Sequence, residues 1–129
     1  MGPTSIARTG ELVAAELAAG DDAAALRIAF DFVRAFDSAP ESLRNGMVGD
    51  PPAPCGDQRY DALLAAVVEH LCARDDLAVP FWTQDPGRFL ETWWFVSGLR
   101  KLHASALVQS PISFARRGVF ICDGALTYA

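Results

Sequence analysis

Residues 57–73 read "DQRYDALLAAVVEHLCA". Tyr60, Leu63, Leu64, Val67, Val68 and Leu71 recur at steps of three and four, with Asp61, Glu69 and the following Arg74 set against them. That spacing is the period of an amphipathic helix, and Asp57 is a side chain suited to capping it. A helix from about Gln58 to Ala73 is predicted, with its apolar stripe turned to a core. A second such pattern lies upstream, where Leu26, Phe30, Val33 and Phe36 share a face that Ile28, Ala29 and Phe32 widen. Arg27, Asp31 and Arg34 take the other side, and Asp21 or Asp22 is placed to cap. An alanine-rich helix over Thr9 to Ala19 precedes it.

Between these helices, Ser38-Ala39-Pro40-Glu41 has the form of a capping box with proline in the first turn. It predicts a short helix from Pro40 to about Asn45 that stops at Gly46. The run Gly49-Asp50-Pro51-Pro52-Ala53-Pro54-Cys55-Gly56 cannot be helix or central strand, because proline fixes the backbone and removes donors. It is a connector. After Asp75 to Pro80, a loop, Asp85-Pro86 predicts a short helix to about Trp93, and Gly98 to Gln109 a further one with Leu99, Leu102, Ala106 and Leu107 on one face. Ser110-Pro111 repeats the cap-and-proline device ahead of Ile112 to Arg117, and Gly118 ends that turn. Val119-Phe120-Ile121-Cys122 is β-branched and aromatic, so it is predicted to be extended, with no convincing partner strand elsewhere. The expected fold is mainly α, a single compact multi-helix domain with a short extended or β C-terminal arm. Residues 1–46 supply N-terminal helices, 47–56 the connector, and 57–129 the C-terminal helices and arm.

Composition narrows the function classes. A chain of 129 residues with 51% hydrophobic and 21% charged side chains is globular and sized for one core. No apolar run reaches membrane-span length, and the N-terminus lacks signal-peptide and myristoylation patterns, so a soluble, cytoplasmic protein is expected. Cys55, Cys72 and Cys122 form no C-x-x-C and are expected to be reduced thiols. Residues 1–83 carry 6 basic and 13 acidic side chains, and residues 84–129 carry 5 and 3, giving −7 and +2. An acidic body argues against direct nucleic-acid binding, which needs clustered Lys and Arg.

Catalytic signatures are missing from the sequence. Phosphate-binding glycine loops, H-E-x-x-H and G-x-S-x-G do not occur, and His70 and Cys72 stand two apart on a helix, which is poor spacing for joint metal ligation. His103 has no recognisable nucleophile to serve, and Asp21-Asp22 and Asp75-Asp76 read as helix-end and loop acids. No cofactor or metal is expected, and the chain is expected not to be an enzyme. The aromatic run stands apart from this. "RFLETWWF", residues 88–95, holds two tryptophans and two phenylalanines, and three consecutive rings at Trp93, Trp94 and Phe95 cannot all point inward from one helical turn. At least one of the three rings is expected to lie at a rim. Trp82, Trp93, Trp94, Phe95, Arg100, Lys101, Arg116 and Arg117 are the candidate partner-binding residues.

The order of these pieces resembles a domain common in predicted proteins of high-GC actinobacteria. The resemblance covers about residues 23–127 and is carried by Gly56 to Asp61, Trp82 to Leu90, Trp94-Phe95 and Ser110 to Phe120. In that family the domain is found alone or after an Xre-type helix-turn-helix, and its members look like the small partner of toxin-antitoxin pairs, including pairs with nucleotidyltransferase-like toxins. The resemblance implies an antitoxin-like module that neutralises a partner protein by binding it. Its Trp-Phe step makes Trp94-Phe95 part of the domain pattern and leaves Trp93 as the ring expected to face outward. No helix-turn-helix pattern is present in this chain, so DNA binding is not part of that expectation. The alternatives are a homo-oligomeric scaffold, including a homodimer, and a small enzyme with an acid-based site.

Overall fold

The helix read from residues 57–73 is the centre of the molecule. In the computed structural model, which describes residues 4–97, 102–122 and 125–126, it spans Gln58–Arg74 (α4), and Tyr60, Ala62 to Glu69, Leu71 and Cys72 are all buried. The expected one-sided stripe is therefore wrong in extent: the helix is enclosed nearly all round, and Glu69 is enclosed with it. Ala62, Ala65 and Ala66 fill what would be the solvent face, and an all-round apolar helix is stable only when other elements cover it. Asp57 caps it as predicted, accepting from the Arg59 N–H at 3.0 Å.

Two helices cover one side. Ile6–Ala18 (α1) and Asp22–Ser38 (α2) fold back on each other, with Gly20 in the left-handed region at φ +79° making the tight exit from α1. Asp21 caps α2, accepting from Ala24 N–H, and Ala25, Ala29, Phe32, Val33 and Phe36 form its inner face. The predicted capping box does not form. Ser38 is the last residue of α2, and the next helix, Glu41–Gly49 (α3), starts after Pro40 with no side-chain cap and runs through Gly46. Burial of Met47 and Val48 on its last turn outweighs the roughly 1 kcal/mol that a helical glycine costs. The connector begins at Asp50 and is largely exposed, but Pro52 and Cys55 anchor it, with Pro52 buried against Gly10 of α1.

The second half departs further from expectation. Phe81–Gln84 and Pro86–Arg88 are single 3-10 turns, and no helix reaches Trp93. The chain is extended there because its backbone finds distant partners: Leu90 N–H donates to Arg117 O at 2.9 Å, Trp94 N–H to Gly118 O at 2.8 Å, and Val96 N–H to Phe120 O at 3.0 Å. Trp94–Phe95 (β1) thus pairs in parallel with Val119–Phe120 (β2), in the register Trp94↔Val119 and Phe95↔Phe120. The missing strand partner is the tryptophan run itself. His103–Gln109 (α5) and Ile112–Ala115 (α6) lie between the strands; of the predicted α5 face Ala106 is buried, Leu107 is 44% exposed, and Leu99 lies outside the described residues. Gly118, at φ +78°, ends the α6 segment and turns the chain into β2. The fold is a mainly helical single domain with a small two-stranded sheet on it, and no described helix is long and apolar enough to cross a membrane.

Two glycines test this packing in opposite directions. A Cβ at Gly10 would stand 2.4 Å from the Pro52 Cβ, so Gly10→Ala is expected to destabilise by about 1–3 kcal/mol in urea unfolding. At Gly46 a Cβ meets nothing within 4 Å, so Gly46→Ala is expected to stabilise by about 0.5–1 kcal/mol.

Candidate functional site

The charged groups inside the domain are tied up in structural bonds. Arg117 has no exposed surface, and its Nη1 donates to Glu69 Oε1 at 2.6 Å and Ser113 O at 2.8 Å, while Nη2 donates to Thr83 O at 2.6 Å. Its Nε alone has no hydrogen-bond acceptor, and the guanidinium lies over the Phe89 ring at 4.6 Å from the centroid. Glu69 Oε2 accepts from Gln84 and from Arg116, each at 2.8 Å. Burial by itself pushes the Glu69 carboxyl up, but the bonds from Arg117 and Gln84 and the two arginine charges outweigh it and hold the group below the ordinary glutamate range. Burial likewise lowers the Arg117 pKa against the opposing Glu69 bond.

A second buried knot lies at the connector. Arg88 Nη2 donates to Pro52 O at 2.7 Å, its guanidinium stacks 5.0 Å over Trp82, and Trp82 Nε1 donates to Val48 O at 2.9 Å. Asp61 Oδ1 accepts from the Cys55 N–H and thiol, both at 2.9 Å. Burial first, then the Asp61 bond, pushes the Cys55 thiol up to about 12, and burial raises Cys72 to about 11. Both are protonated at neutral pH and poor nucleophiles.

A cluster of aromatic rings forms at the small sheet. Trp94 turns inward onto Tyr60, with ring centroids 5.2 Å apart, and Arg59 lies 5.1 Å over its ring. Strand alternation sends Trp93 and Phe95 to the opposite side, where both meet Phe120, at 4.9 Å edge-on and 5.1 Å stacked. His103 of α5 stacks on Phe95 at 3.9 Å. Trp93, 61% exposed, is the outermost member of this aromatic ledge. Beside it, Asp57, Gln58 and Arg59 on one wall and Leu90 to Trp94 on the other enclose an open cleft of about 470 Å³.

The eight candidate residues thus separate. Trp93 and Phe95 come together at the ledge, Trp94 turns to the other side of the strand onto Tyr60, and Trp82 and Arg117 are withdrawn into the interior. Arg116 is partly exposed but spends its charge on Glu69, and Arg100 and Lys101 lie outside the described residues. Asp75 is bound by Arg74 and Arg44, consistent with a helix-end role, and His70 packs on Phe114, its pKa lowered by burial and by the charge of Arg74. Helical spacing puts Glu69 on a polar face and gives no sign of the parts taken by Arg88 and Arg59. The available signal was a lone carboxylate inside a long apolar run, which needs a buried cation.

Removing Arg117 leaves a buried carboxylate short of its partner, so Arg117→Met is expected to cost about 3–5 kcal/mol, against no more than about 1 kcal/mol for the partly exposed Arg116→Met, both read from urea unfolding. Because the Glu69 pKa is lower folded than unfolded, its contribution is present above the ordinary glutamate range and is lost as pH falls through and below it. The acid limb of a stability–pH curve is therefore expected to flatten in Glu69→Gln. In native protein a thiol reagent is expected to modify Cys122 well before Cys55 and Cys72, which react only on unfolding.

Compared with protein-family models, curated proteins and solved structures, the chain matches none of them.

Proposed function

We propose that this chain is a non-enzymatic, antitoxin-like binding module that neutralises a partner protein through the aromatic ledge of Trp93 and Phe95 and the adjoining cleft that Trp94 lines. The observation that supports the reading is Trp93, a large ring left 61% exposed while Phe120 and Phe95 brace it from below. A tryptophan held in one orientation loses little entropy on docking, and such rings dominate interface energies. The resemblance of residues 23–127 to small partners of toxin-antitoxin pairs supplies the class of partner. The acidic composition suits a basic cleft on that partner, and occlusion of the cleft is the mechanism proposed.

Titration of the purified chain with the product of the adjacent gene is the direct test. A stable complex by size exclusion, with relief of that product's growth inhibition, is expected. Trp93→Ala is expected to weaken the complex by about 2 kcal/mol while changing the unfolding free energy by less than about 1 kcal/mol. Absence of both complex and rescue sinks the reading. Concentration-dependent self-association of the free chain, lost in Trp93→Ala, would instead assign the ledge to a homo-oligomer.

A further inference from the structure

The two edges of the small sheet differ. In a parallel pair only alternate residues face the neighbouring strand, and the observed bonds assign that role to Trp94 and Val96 on one side and Phe120 on the other. The backbone groups of Ile121, which face away from β1, are occupied: Ser110 Oγ accepts from its N–H at 2.8 Å and lies 3.0 Å from its carbonyl oxygen. Ser110 therefore covers the β2 side at Ile121. On β1 the N–H and C=O of Phe95 face away from β2, and no described side chain occupies them in the way Ser110 occupies Ile121. An edge of this kind is a template for one more strand.

The surroundings of that edge select the strand. Trp93 flanks it with an exposed ring, and the cleft beside residues 90–94 carries the Glu91 carboxylate. Among the described residues Glu91 has no ion-pair partner, whereas Arg59 across the cleft is already bound to Asp57 at 2.7 Å. The cleft is thus lined by aromatic rings and one uncompensated negative charge, a setting that favours a Lys or Arg side chain, whose stem packs on the rings while its head meets the carboxylate. We propose that the β1 edge docks an extended, Lys- or Arg-bearing segment of the partner protein, which adds as a third strand through the Phe95 backbone. This rests on the protein-binding reading above and names the form of the bound segment.

A synthetic octapeptide of alternating valine and lysine is the probe, with its valine–glutamate counterpart and a form N-methylated at alternate residues. Backbone and indole resonances of the labelled chain report binding at millimolar peptide. The valine–lysine peptide is expected to shift and protect the Phe95 amide and to move the Trp93 indole. N-methylation along the pairing edge is expected to weaken binding about tenfold or more, and Glu91→Lys to abolish the preference for lysine over glutamate. No response at Phe95, or equal binding of the N-methylated peptide, overturns strand addition; equal binding of the glutamate peptide overturns the basic preference. None of these failures touches the Trp93 dependence of the partner complex, so the two readings fail separately.

Discussion

The bond between Arg117 and Glu69 is the constraint on which the C-terminal half of the molecule depends. It joins the central helix α4 to the segment after α6, and through Thr83 O it holds the 81–84 turn as well. A buried ion pair is a weak source of net stability, since desolvating two charges offsets most of their attraction. Its contribution is positional. The backbone oxygen of Arg117 accepts from Leu90 N–H, and Gly118, the next residue, accepts from Trp94 N–H. Fixing the side chain of Arg117 therefore fixes where the parallel pairing begins.

A two-residue sheet cannot stand alone in water. Here it is held from outside, by Arg117 at its start, by Ser110 along one edge, and by Val119 and Ile121 packed into the core. Once the register is set, side-chain alternation leaves no freedom: Trp94 faces Tyr60, so Trp93 and Phe95 must lie on the other side. The exposed ring is thus a consequence of an ion pair beneath the surface. A change at Glu69 or Arg117 would alter the presentation of Trp93 without touching it. The link runs from a buried charge to the geometry of the surface.

The motifs that make the sequence distinctive converge on the same places. The Trp-Thr-x-x-Pro-x-x-Phe-Leu stretch supplies Trp82, Thr83 and Phe89, and the Phe-x-Arg-Arg-Gly stretch supplies Phe114, Arg116, Arg117 and Gly118. In three dimensions Phe89 lies under both arginines, Thr83 accepts from Arg117, and Trp82 holds the end of α3. Most of this pattern serves architecture. The ledge, made of Trp93, Phe95 and Phe120, is what that architecture leaves at the surface.

The main helices are legible in the order of the amino acids, because an apolar period of three to four residues and a capping Asp are local facts. Asp21 and Asp57 cap where their chemistry says, and the inner face of α2 is largely the one its spacing predicts. Steric limits on three adjacent rings say only that one must turn outward; that it is Trp93 is decided by the strand, which points Trp94 at Tyr60. What local pattern could not carry was every feature decided by a distant partner. Residues 90–95 could satisfy their backbone either within a helix or against 117–120, and only the packed molecule, with Arg117 anchored on Glu69, makes the second choice the better one. Glu69 itself reads as a solvent-facing residue until a buried guanidinium is brought to it from 48 positions away. Local hydrogen bonding and periodicity are written in sequence neighbours, whereas strand pairing and charge burial are settled by which remote groups arrive at the same point.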